Sequence, residues 1–83
     1  MNLIFNQSEF EHKSEISVYN NNYYRHKKLN YVIYEVCNEL PNEDENYYKY
    51  FLIENEKSIF IGCSMNGFNG EEYVTIEFKE HYT

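Results

Sequence analysis

Positive charge is what this chain has least of. Lys and Arg together number 7 against 14 Asp and Glu, for a formal net charge of -7. A field of that sign repels nucleic acid and anionic membranes and gains nothing from counterion release on DNA, so no direct nucleic-acid partner and no membrane partner is expected. Long hydrophobic runs are also missing. The first segment offers only Leu3, Ile4 and Phe5 before polar residues resume, which is too short for a signal-peptide core or a membrane span and leads to a cytoplasmic expectation.

Cysteine is scarce too. Cys37 and Cys63 are the only two, they show no Cys-x-x-Cys spacing, and each ends an apolar run, so they read as buried free thiols. His12, His26 and His81 lack the i, i+4 spacing of a helical metal motif, and no metal or cofactor is expected. Cys63 with His26 or His81 is a poor nucleophile pair, because reactive thiols need electropositive surroundings. The stretch "NGFNG" (66–70) is too short for a phosphate-binding glycine loop. With no catalytic motif, a non-enzymatic protein is expected.

What is present is aromatic and β-branched. Ten tyrosines and six phenylalanines in 83 residues argue for a folded chain rather than an acidic tail. A chain of this length makes a single domain spanning 1–83, burying about 60 to 65% of its unfolded surface. The segment "EYVTIEFKE" (72–80) alternates Val74, Ile76 and Phe78 with Tyr73, Thr75, Glu77 and Lys79, the pattern of a half-buried antiparallel strand. "LNYVIYEVC" (29–37), "NYYKYFLIE" (46–54) and "SIFIGCS" (58–64) have strand composition and are separated by turn residues. "NLIFN" (2–6) and "EISVY" (15–19) read as two shorter strands.

Ser8 and Glu11 have capping-box spacing for one helical turn. Residues 20–28 read either as a turn with a strand extension or as a short helix capped by Asn22. The fold class is therefore mostly β, a small antiparallel meander of about five or six strands, with α+β containing one short helix as the alternative. Val32, Tyr34 and Val36 oppose Tyr31 and Ile33, so both sheet faces are apolar; the second must be covered by a helix, closed into a barrel, or buried in a homodimer.

In an up-and-down meander the loops "NELPNEDE" (38–45) and "MNGFNGEE" (65–72) fall at one end. This gathers Glu39, Glu43, Asp44, Glu45, Glu71 and Glu72 on an acidic rim, with Phe68 at the tip of the second loop and Tyr47 beside the first. Arg25, His26, Lys27 and Lys28 would lie at the other end with Glu54, Glu56, Lys57 and Lys79. Such a rim can imitate a phosphate track for a basic partner, with Phe68 or Tyr47 as an apolar anchor; equally, hairpin loops are polar because they face water. Glu35, among Val32, Ile33, Tyr34 and Val36, is expected on the exposed face, the alternative being a buried carboxyl suited to acid catalysis.

In general character, small, acidic and rich in Tyr and Asn, the chain resembles phage and mobile-element proteins that inhibit host defence enzymes, such as anti-CRISPR and anti-restriction proteins, and also toxin-immunity proteins. The likeness is compositional and assigns no residue a role. It implies an inhibitor of a basic nuclease or other nucleic-acid-handling protein; the alternatives are an immunity protein or antitoxin, and a small-molecule-binding dimer with a Tyr-lined site.

Overall fold

The computed structural model describes residues 2–14, 21–39, 46–69 and 72–78. It is an antiparallel sheet of seven strands curled into a half-barrel, and almost no helix is present. In chain order the elements are β1 (Asn2–Asn6), a 3-10 turn (Gln7–Glu9), β2 (Phe10–Ser14), β3 (Asn22–His26), β4 (Val32–Glu39), β5 (Asn46–Glu54), β6 (Lys57–Ser64) and β7 (Tyr73–Glu77). Strands β2 to β7 form an up-and-down meander, and β1 pairs beyond β7, giving the order β1-β7-β6-β5-β4-β3-β2.

The curl follows from this order. β1 and β2 are the two outermost strands, yet only the three residues of the 3-10 turn separate them in sequence. The sheet must therefore bend until its edges approach. The turn is tied on both sides: Gln7 N–H donates to the Glu72 carbonyl at 2.9 Å, and Lys27 N–H donates to the Glu9 carbonyl at 2.9 Å. Asn6, rather than Ser8, caps it, its side-chain oxygen accepting from Ser8 N–H at 3.0 Å and from the Ser8 hydroxyl at 2.7 Å. The expected Ser8–Glu11 helical turn is corrected on this point, because Glu11 already lies in β2 opposite Arg25.

The four-strand meander expected from alternation is present as β4 to β7. Residues 22–26 form a strand rather than a helix. The segment 15–19 lies outside the described residues. Between β5 and β6, Asn55 and Glu56 both adopt positive φ, 51° and 64°, the two-residue hairpin turn whose twist matches the flanking strands. A bulge between Tyr50 and Phe51 marks the β5–β6 ladder. There Gly62 opposes Tyr50 and takes φ 135°; a Cβ on it would run into the Glu77 carbonyl oxygen.

The core fills the concave face, where Phe10, Tyr24, Ile33, Tyr50, Ile61, Val74 and Ile76 are buried and Leu3, Phe5, Tyr48 and Leu52 pack against them. Pairs of adjacent tyrosines split between the faces, as strand alternation requires. Tyr24 is buried while Tyr23 is half-exposed, and Tyr48 packs on the core while Tyr47 points the other way. No helix among the described residues is long and apolar enough to cross a membrane.

Candidate functional site

Among the described residues, the one carboxylate in the core is Glu35. It is 3% exposed, on β4, against the expectation of an exposed position. Burying a carboxylate is costly unless donors replace its water, and four donors do so here. Oε2 accepts from the Tyr50 hydroxyl at 2.6 Å and from Phe68 N–H at 2.7 Å. Oε1 accepts from the Asn22 side-chain amide at 3.1 Å and the Tyr24 hydroxyl at 3.3 Å. A carboxylate has about four acceptor positions, and all of them are filled by the protein.

The ring of donors is assembled by register. Asn22 and Tyr50 are the direct cross-strand partners of Glu35 on β3 and β5. Phe68 arrives from the chain between β6 and β7, which folds back over the concave face. Burial, followed by the negative charge and hydrogen bond of Glu35, pushes the Tyr50 and Tyr24 hydroxyls well above the ordinary tyrosine range. Tyr48 is pushed up chiefly by burial, then by Cys37 and Glu35. With every acceptor position occupied, Glu35 serves as an anchor that fastens the 65–69 segment to the sheet.

Phe68 requires a correction. Expected as an exposed anchor at a loop tip, it is fully buried. Its ring stacks on Tyr24 at 4.4 Å and meets the edge of Phe10 at 5.0 Å, with Phe5 and Tyr50 each at 6.1 Å. The sheet leaves its concave face short of apolar filling, and Phe68 supplies it. The Asn66 carbonyl lies 3.2 Å from the same Tyr50 hydroxyl and shares its single proton with Glu35, holding the same segment down.

The remaining rim residues are placed only in part. Glu43, Asp44, Glu45 and Glu71 lie outside the described residues. Glu39 ends β4 opposite Asn46. Glu72 is exposed. Tyr47 is half-buried on β5, on the face away from the core.

At the basic segment, Arg25, Lys27 and Lys28 are exposed but His26 is 8% exposed and internal. Its Nδ1 accepts from Lys28 N–H at 3.0 Å and Leu29 N–H at 2.9 Å, so Nε2 carries the proton, directed at Glu9 Oε2 3.5 Å away. His26 is a turn fastener, and Lys27 reinforces it by donating to the Ser8 carbonyl at 2.8 Å. Lys79 and His81 lie outside the described residues. Cys37 and Cys63 are both free thiols, with Cys63 buried. Among the described residues no cluster of His, Cys, Asp and Glu could hold a metal ion.

The outer face carries a feature that sequence reasoning did not assemble. Tyr23 opposes Tyr34, Tyr34 opposes Phe51, and Phe51 opposes Phe60, so four aromatic side chains form one row across β3, β4, β5 and β6. Successive ring centroids are 4.6, 6.3 and 5.5 Å apart. All four are half-buried, as are Val32, Val36 and Ile53 beside them. Alternation within each strand hinted at a second apolar face, but the row exists only once the register is known.

No protein family, no curated protein and no solved structure matches the chain.

Proposed function

We propose that the protein is a non-enzymatic inhibitor that docks on a basic, nucleic-acid-handling protein, its outer sheet face supplying the contact and its excess negative charge the attraction. The aromatic row Tyr23–Tyr34–Phe51–Phe60 carries this reading. The concave core is filled by Phe68 without it, and the four rings lie half-buried together on the opposite face of a small domain. Large, rigid aromatic side chains of this kind dominate recognition surfaces because they bury much area at low entropic cost. Tyr47 lies on the same face, next to the acidic segment 38–45.

Charge argues for the class of partner. A net charge of -7 accelerates encounter with a basic surface and discourages acidic ones. Arg25 and Lys49 border the row, so the steering charge comes from the rest of the molecule. In this reading the acidic side chains of segments 38–45 and 71–72 stand in for phosphates on such a partner. A small-molecule site gains no support from the concave face, whose tyrosines pack around Phe68.

The test is capture from a bacterial lysate with tagged protein, washed at low and high salt. A basic nuclease or nucleic-acid-binding protein held at low salt is expected. Glu43→Lys with Asp44→Lys should weaken capture at low salt, and Tyr34→Ser with Phe51→Ser should weaken it at both salts. Capture that neither pair alters would sink the proposal.

A further inference from the structure

The two edges of the sheet are chemically unlike. β2 (Phe10–Ser14) carries Glu11 and Lys13, both exposed, and charged side chains are a common protection against edge-to-edge pairing. β1 (Asn2–Asn6), with the sequence NLIFN, has no charge, no proline and no bulge, and pairs only with β7 among the described strands. Its central residue, Ile4, is 67% exposed, the most exposed of the large hydrophobic residues described.

Backbone direction can be read from one hydrogen bond. Gln7 N–H donates to the Glu72 carbonyl, and the β1–β7 register sets Gln7 opposite Glu72. In an antiparallel ladder, alternate residues turn both backbone groups toward the partner and the intervening ones turn them away. Leu3, Phe5 and Gln7 thus bond toward β7. Asn2 and Ile4 direct both their backbone N–H and C=O groups to the free edge, and Asn6 its N–H, the Asn6 carbonyl being taken by the 3-10 turn it caps.

The strand also reads nearly the same in both directions about Ile4. If a second copy lies antiparallel along this edge, centred on Ile4, then Ile4 meets Ile4, Asn2 meets Asn6, and Leu3 meets Phe5. The outward backbone groups of the two Ile4 residues meet in a hydrogen-bonded pair. Leu3 and Phe5 face Phe5 and Leu3 on the core side, extending apolar packing that each strand already makes with Val74 and Ile76. Asparagine amides meet at both ends, and no like charges oppose each other.

We propose that β1 is a self-association edge and that its occupant is β1 of a second copy, joining two half-barrels through a two-fold axis at Ile4. The closure is isologous, so each copy uses its uncharged edge once. The edges left over are the two β2 strands with their Glu11 and Lys13, and assembly stops at the dimer. This goes beyond the inhibitor reading and does not depend on it, since neither the acidic loops nor the aromatic row takes part.

The test is analytical ultracentrifugation of the whole chain over a concentration series, with hydrogen exchange of the Ile4 amide measured alongside. The wild type is expected to sediment as a concentration-dependent dimer whose Ile4 amide is protected, and to lose that protection on dilution to monomer. Ile4→Lys sets two cations against each other at the axis. Ile4→Pro removes the outward N–H without touching the β7 ladder. Each should raise the dimer dissociation constant by at least about tenfold, with an unchanged circular dichroism spectrum. A wild type that remains monomeric at millimolar concentration overturns the proposal, as does a dimer that survives both substitutions. Should either variant fail to fold, the wild-type amide decides: rapid exchange within a populated dimer also overturns it.

Discussion

Glu35 and Tyr50 stand opposite each other on β4 and β5, and the Tyr50 hydroxyl donates to Glu35 Oε2 at 2.6 Å, with both residues buried. Through this pair the meander is coupled to the chain crossing its concave face, because the same carboxylate oxygen accepts from Phe68 N–H and the same hydroxyl reaches the Asn66 carbonyl. Tyr50→Phe removes the donor and leaves ring packing in place. It should cost about 2 kcal/mol of stability, as expected for a hydrogen bond to a charged group. Glu35→Ala strands the Tyr24 hydroxyl and Phe68 N–H, leaves the Tyr50 hydroxyl only the Asn66 carbonyl, and should cost about 3 to 5 kcal/mol. Urea unfolding followed by circular dichroism measures both, and a Glu35→Ala variant as stable as wild type would refute the anchoring role.

The same cluster sets the behaviour in alkali. An unfolded tyrosine releases its proton near pH 10, whereas Tyr24 and Tyr50 hold theirs to higher pH in the fold because of burial and the adjacent Glu35. Above that point the folded state binds more protons than the unfolded state. The contribution of these two groups is fully present below about pH 10 and falls as pH rises, by up to about 1.4 kcal/mol per pH unit for each. Ultraviolet titration of tyrosinate should therefore show exposed tyrosines ionising first and Tyr24 and Tyr50 ionising together with unfolding. Ionisation of all ten in one step near pH 10, with the fold intact, would contradict this.

Gly62 is irreplaceable for steric reasons at the Tyr50–Phe51 bulge. Its φ of 135° is unfavourable for any side chain, and a Cβ would strike backbone atoms of Glu77 as well as a methyl group of Ile76. Backbone cannot swing aside as a flexible side chain does. Gly62→Ala should cost at least about 3 kcal/mol, combining backbone strain with overpacking, and a melting curve matching the wild type would rule this out.

How far the fold was legible in the sequence depended on how local its causes were. The strands β4 to β7 announce themselves through alternation and turn residues, which act within a few positions. β2 did not, because Phe10 is its only buried apolar residue and Ser8 and Glu11 mimic a helix start; pairing with β3 decides its conformation. The direction of Glu35 was illegible for a related reason. Val32, Tyr34 and Val36 make the more apolar face of β4, yet the face of Ile33 and Glu35 turns inward. Donors from Asn22, Tyr24, Tyr50 and Phe68, all distant in sequence, make that orientation affordable. Phe68 was misjudged because flanking Asn-Gly pairs report a flexible backbone and say nothing about where the ring goes.

The β5–β6 turn offers a change in the stabilising direction. Asn55 and Glu56 both occupy the left-handed region, where asparagine is tolerated but a glutamate side chain crowds the backbone at a cost of roughly 1 to 2 kcal/mol. Glycine adopts this conformation freely, and Asn-Gly is the preferred pair for a turn of this type. Against that gain stands the greater entropy that glycine gives the unfolded chain, roughly 0.5 to 1 kcal/mol. Glu56 is exposed, so little else is lost. Glu56→Gly should raise stability by about 0.5 to 1 kcal/mol, read as a higher urea midpoint at unchanged slope. A lower midpoint would mean that the turn conformation, and with it the register of β5 against β6, is held by something other than local backbone preference.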